Sequence, residues 1–168
     1  MSAPSGPAQI NLDVTILTNL FQFKGKLPIM GVFQTFVNDD QRPTFTLNDF
    51  DALGVNANNP AAHLKQAEMF ISKRICQIIA VSNVPQGGLQ LMSRSESLAM
   101  YTQNYSIIGK FHLGPDARLN DFAEVSLSQF IIASEVRIFP LFDARPGVID
   151  ASPIALIHKT AILGYHKF

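Results

Sequence analysis

The chain has 168 residues, enough for one domain or two small ones. Hydrophobic residues make up 47% of it and charged residues 15%, which excludes a chain disordered by composition. Lys and Arg number 13 and Asp and Glu number 13, split six and six over residues 1–84 and seven and seven over residues 85–168, so the basic excess of a phosphate-driven nucleic-acid binder is absent.

From the start, Met1 to Gln9 is small and polar, with Pro4 and Pro7 and neither a basic nor an apolar leader region. It reads as a flexible tail. A β-branched strand is expected over Leu12 to Thr18, a tight turn at Asn19-Leu20, and a second strand over Phe21 to Leu27. Gly25 inside that strand predicts a bulge or sharp bend. Phe33, Phe36 and Val37 suit a short helix plugging one end of a barrel. A third strand follows over Thr44 to Phe50, then a loop from Gly54 to Pro60. Two short strands, about Glu68 to Ser72 and Ile75 to Val81, flank a turn carrying Lys73-Arg74. Ser82 to Gly88 is the densest turn-forming cluster of the chain and predicts a boundary.

Past that boundary the pattern returns. Val14-Thr15-Ile16-Leu17-Thr18 aligns with Leu98-Ala99-Met100-Tyr101-Thr102, and Gly25-Lys26-Leu27 with Gly109-Lys110-Phe111. A longer turn at Gly114-Pro115-Asp116 then raises the offset from 84 to 86. Phe33 and Phe36 match Leu119 and Phe122, Phe45-Thr46-Leu47 matches Ile131-Ile132-Ala133, and Phe70 to Arg74 matches Leu156 to Thr160, give or take one residue at Phe70. In the second copy a turn is expected at Gln103-Asn104 and strands over Tyr105 to Leu113, Phe130 to Phe139, Ile154 to His158 and Ala161 to Tyr165. A helix with Asp116 as N-cap would present Leu119, Phe122 and Val125. The expected organisation is a tail (1–9), a first repeat (10–82), a linker (83–89) and a second repeat (90–168), all-β with one short helix per repeat.

Five short strands, a glycine in a bent second strand, and the Ile71-Ser72-Lys73-Arg74 and Ile157-His158-Lys159-Thr160 turns resemble the Sm-like fold, an SH3-like small barrel. The chain is also similar to an uncharacterised bacterial domain family with a T…G…helix…[LI]-x-K-R core. The resemblance implies two tandem five-stranded barrels. It also implies an RNA-reading role, in which Lys73, Arg74 and Lys159 occupy the family's partner-contacting positions. Two features depart from the family: neither copy has Arg-Gly after its fourth strand, and Asn120-Asp121 falls on the expected helix rather than on a tight loop.

Residues that carry chemistry are sparse. His63, His112, His158 and His166 lack metal-ligand spacing, and the single Cys76 lies in an apolar run with no base beside it. Asp39-Asp40 and Asp49-x-Asp51 read as strand ends facing water. Phe21, Phe23, Phe33, Phe36, Phe45 and Phe50 read as core or subunit contacts rather than base-stacking platforms. No P-loop, GxGxxG or GxSxG is present. No enzyme activity and no cofactor are therefore expected. The expected role is a structural or interaction protein that associates with itself or another protein through barrel edges. An Sm-like nucleic-acid module is the alternative, and a small-ligand sensor or enzyme with its site between the barrels is a third. No apolar run is long enough to span a membrane, and cytoplasmic residence is the expectation.

Overall fold

A computed structural model describes residues 8–61, 63–84 and 88–168. Of the expected tail and linker, residues 1–7 and 85–87 lie outside the described residues, and Gln9 already belongs to the first strand. In chain order the elements are β1 (Gln9–Leu17), β2 (Phe21–Met30), α1 (Phe33–Val37), β3 (Thr44–Gly54), β4 (His63–Ser72), β5 (Ile78–Val81), β6 (Arg94–Thr102), β7 (Tyr105–Leu113), α2 (Phe122–Val125), β8 (Phe130–Pro140), β9 (Ala151–His158) and β10 (Ile162–Lys167). Single 3-10 turns, Lys73–Ile75 and Lys159–Ala161, precede β5 and β10.

All ten strands form one antiparallel sheet in the order β10-β6-β7-β8-β9-β5-β1-β2-β3-β4. The sheet is open. Two separately closed barrels, as expected from the sequence, are not what the strands build. Each run of five strands nevertheless curls. In a flat sheet β5 and β4 would stand four strand spacings apart, roughly 19 Å. Instead Ile79 of β5 and Ile71 of β4 share one core with Leu12, Phe23, Leu27 and Phe45.

The halves repeat down to individual registers. Val14 faces Gly25 as Leu98 faces Gly109. Phe45 faces Ile71 as Ile131 faces Ile157, and Phe70 and Leu156 occupy equivalent positions. Both hairpins are closed by a threonine. Thr18 Oγ accepts from Phe21 N–H at 2.9 Å, and Thr102 Oγ from Tyr105 N–H at 3.0 Å. The bulge expected at the strand glycines is present in both halves, between Lys24 and Lys26 and between Ile108 and Lys110. Opposite it, Asp49 (φ 48°) and Glu135 (φ 53°) take the left-handed conformation at matching positions. A Cβ on Gly25 would lie 2.8 Å from the Asn48 carbonyl oxygen, closer than packed atoms tolerate. The glycine lets the strands cross.

Several boundaries differ from expectation. β3, β4, β8 and β9 are longer, because pairing with a neighbour continues into polar residues that propensity alone leaves as loop. The second helix is one turn, Phe122–Val125, preceded by Asp121; Asp116 caps nothing, and Val125 is exposed. Four residues cannot present an i, i+3, i+6 face, so only Phe122 and Ala123 are buried. Cys76 lies before β5 rather than within it.

Two loop clamps join the halves. The side chain of Gln22, buried in β2, donates to Gly147 C=O at 3.0 Å and accepts from Ile149 N–H at 2.7 Å. Arg145 of the same loop donates through Nε to Gly54 C=O at 3.2 Å and also reaches the Asn59 carbonyl. Tyr105, fully buried, donates its hydroxyl to Thr18 C=O at 2.9 Å.

Candidate functional site

The most informative feature is how the sheet passes from one half to the other. β5 of the first half pairs with β9 of the second, in the register Ile78–Ile157, Ile79–Leu156, Ala80–Ala155 and Val81–Ile154. Both strands are buried on both faces. Their side chains are shared out by alternation: Ile79, Val81, Ile154 and Leu156 enter the first core, and Ile78, Ala155 and Ile157 enter the second. Such two-sided burial explains why both strands read as continuous apolar runs instead of alternating. Polar bonds frame the seam. Asn38 Oδ1, just after α1, accepts from Phe130 N–H at 2.9 Å, and Asp40 takes the Gln129 amide. At the same end Gln77, whose carbonyl accepts from His158 N–H, donates to Asn104 Oδ1 at 2.8 Å and accepts from Thr102 Oγ at 2.9 Å.

The sheet ends on the counterparts of these same strands. β4 occupies the position in the first half that β9 holds in the second, and β10 the position of β5. Each is paired on one side only among the described residues. Their outer residues are exposed, including Leu64, Phe70 and Leu163, at 57%, 65% and 73%. Leu156, the counterpart of Phe70, is 1% exposed. Large apolar groups on an unpaired edge are a template for strand addition. Polar and charged side chains flank them: His63, Lys65 and Glu68 on β4, His166 and Lys167 on β10.

The three cations expected at a partner-facing turn are not equivalent. Lys73 is buried; its ammonium donates to Asp39 C=O at 2.8 Å and lies 5.0 Å from the centre of the Phe45 ring. Burial lowers its pKa, opposed chiefly by Asp39. Lys159 donates to Ser126 C=O at 2.8 Å. Both lysines tie their turn to the helix-bearing loop. Arg74 is exposed and lines a cleft of about 310 Å³ with Asn19, Gln77, Gln103 and Thr160. That cleft does not include Lys159, so the three are not gathered into one patch.

A second cleft of about 310 Å³ lies between the halves, lined by Gln34 and Asn38 on one side and His112, Phe122 and Phe130 on the other. Its polar groups are already engaged: Gln34 makes reciprocal 3.0 Å bonds with the Gln90 backbone, and His112 lies 2.8 Å from Ser134 Oγ and 3.1 Å from Met92 C=O. The other histidines are dispersed, His63 against Asp51, His166 against Tyr101, and His158 accepting from Thr160 N–H. Burial and the neighbouring Lys159 lower the His158 pKa. Among the described residues no three His, Cys, Asp or Glu side chains are grouped to hold a metal ion. The carboxylate pairs are split: Asp39 binds Arg42 at 3.2 Å and Asp51 faces His63, while Asp49 sits at the bulge. Burial pushes the Cys76 thiol up to about 12, and it donates to Ser72 C=O at 3.3 Å. A thiol so held supplies no thiolate near neutral pH. Of the six aromatics weighed for base stacking, Phe23, Phe33, Phe45 and Phe50 are buried in the first core, and Phe21 and Phe36 pack against it.

Sequence reasoning named barrel edges in general and the turns between the last strands, but no residue of the edge strands themselves. The signal for Phe70 was available only once its partner was known: it faces Thr46, between core residues Phe45 and Leu47, and therefore points outward. No helix among the described residues is long and apolar enough to cross a membrane. Comparison of this chain with protein-family models, with curated proteins and with solved structures finds no match.

Proposed function

We propose that this chain is a non-enzymatic interaction protein that self-assembles through the free edges of two Sm-like halves fused head to tail. The observation that carries this reading is the β5–β9 seam: the chain already joins two equivalent units by strand pairing, and among the described residues it leaves one strand of each seam type paired on one side only. Pairing β10 of one copy with β4 of the next repeats the seam and leaves the same two edges free again. Such a contact is heterologous, so it propagates into a ring or a filament rather than closing as a twofold dimer. Balanced charge, high apolar content and the dispersal of the ionisable side chains all favour the reading. The nucleic-acid alternative finds less support, because Lys73 and Lys159 spend their ammonium groups on backbone carbonyls.

Light scattering on a sizing column, with absorbance followed at 260 nm, tests the proposal. The chain has three Tyr and no Trp, so co-purifying nucleic acid would dominate the ultraviolet signal. A mass of several chains without excess 260 nm absorbance is the expected result. A monomer at tens of micromolar overturns the proposal, and a 260 nm excess that disappears in high salt favours the alternative.

A further inference from the structure

The seam specifies more than the fact of pairing. Resting on the assembly reading above, we infer that β10 and β4 of successive copies pair in the register of the internal seam, with Phe70 of one copy seated in a cleft between α2 and β10 of the next.

The equivalence is fixed by the registers. Positions 154–157 of β9 correspond to 68–71 of β4 through their shared partners on β8 and β3. Positions 78–81 of β5 correspond to 164–167 of β10 through β1 and β6. Carrying the seam over places Gly164 opposite Ile71 of the neighbouring copy, Tyr165 opposite Phe70, His166 opposite Met69, and Lys167 opposite Glu68.

Three observations support that register. The first is space. A cleft of about 400 Å³ lies along β10, lined by Ala123, Glu124, Lys159, Ile162, Gly164 and Tyr165. At the internal seam the corresponding wall, made by Val37, Cys76 and Ile79, is in the same core as Leu156 and Phe130 of the other half. Among the described residues the second half has the wall and no side chain in the place of Leu156, and Phe70 holds the position of Leu156 in β4. Tyr165 is held edge-on against the buried Phe122 at 4.9 Å, so the aromatic wall that an arriving phenyl ring would meet is fixed in place. The second is charge. Lys167 and Arg94 both contact Glu96, at 3.2 and 3.4 Å, a group with one positive charge left over. Glu68, which has no ion-pair partner among the described residues, would arrive beside it. The third is polarity. β4 against β4, or β10 against β10, would leave the cleft along β10 without Phe70, so filling the cleft selects unlike edges.

Paired cysteines test the register. His158 N–H donates to Gln77 C=O, so with ladder bonds alternating, Ala80–Ala155 is a non-hydrogen-bonded pair. Its counterpart, His166 with Met69 of the next copy, then has Cα atoms about 4.5 Å apart, within disulfide reach. Native Cys76 is buried and does not interfere. Mixing His166→Cys with Met69→Cys under mild oxidation should give a linked dimer, each variant alone should give none, and the double variant should give a ladder. Self-linking of Met69→Cys alone, or no link from a mixture whose light-scattering mass is still that of several chains, overturns the register while leaving assembly standing. Monomers throughout remove both. Phe70→Asp supplies the second readout. Its apparent association constant should fall at least tenfold with the far-ultraviolet spectrum unchanged, and unaltered association overturns the seating of Phe70.

Discussion

β9 and β4 occupy the same place in the two halves, yet one is a seam and the other an edge. Ile154-Ala155-Leu156-Ile157 is apolar throughout, because β9 is paired on both sides and packed on both faces. Glu68-Met69-Phe70-Ile71 keeps Ile71 in its own core and sends Phe70 into water with Glu68 beside it. The same contrast separates Ile78–Val81 of β5 from Gly164 to Lys167 of β10. A strand's composition thus records how many neighbours it has. The edges combine exposed large apolar groups with charged side chains, whereas the seam dispenses with charge.

The sharpest way to break this comparison is to truncate both members of the equivalent pair. Leu156→Ala should lower the unfolding free energy of the chain by about 2–5 kcal/mol, measured in urea, because it leaves a cavity in a shared core. Phe70→Ala should change the stability of the single chain by less than about 0.5 kcal/mol, since the ring is exposed, while weakening association. Equal destabilisation by the two would show that Phe70 is already packed within its own chain.

The glycines at the two bulges offer a smaller contrast within the repeat. Gly25→Ala places a Cβ 2.8 Å from a backbone oxygen and from Leu47 Cγ, and should cost about 1–3 kcal/mol. Gly109→Ala meets its nearest atoms at 3.1 and 3.2 Å and should cost less, by the same urea titration. Gln22→Ala strips the loop of both amide bonds. It should cost about 1–3 kcal/mol by removing two part-buried hydrogen bonds that join the halves, with faster hydrogen exchange at Ile149 as its local signature.

The smallest effect expected is a pH dependence confined to one half of the repeat. His158 is buried and its pKa is lowered from 6.5. Below 6.5 the unfolded chain takes up a proton that the folded chain refuses, so stability is complete above that pH and falls on acidification. The urea midpoint should drop between pH 7.5 and 5.5, and His158→Gln should shallow that drop. Its counterpart is Ser72, which does not titrate, so Ser72→Ala should leave the pH profile unchanged.

How much of this was legible beforehand follows from the range of each interaction. Hairpins were readable because a threonine hydroxyl, a two-residue turn and a strand glycine act within a few positions of one another. Thr18 with Gly25 and Thr102 with Gly109 mark the same bend in both halves. The repeat itself was readable because equivalent cores demand equivalent patterns. The helix after Gly114 was overextended from its apolar spacing, because only the packing of Phe122 against β10 decides where one turn ends. The basic turns were nominated from their place in the Sm-like resemblance, which shows a lysine's position along the chain and not the carbonyl it meets.

What the sequence determined by itself, then, is the all-β class, the two matching halves and the bent second strand, each encoded by local sterics and alternation. Tertiary structure decided that the halves share one open sheet, that Gln22 and Arg145 clamp them together, and that Leu156 is core where Phe70 is surface. Those outcomes depend on which strand edges meet across more than seventy residues of chain, and no window of residues contains both partners.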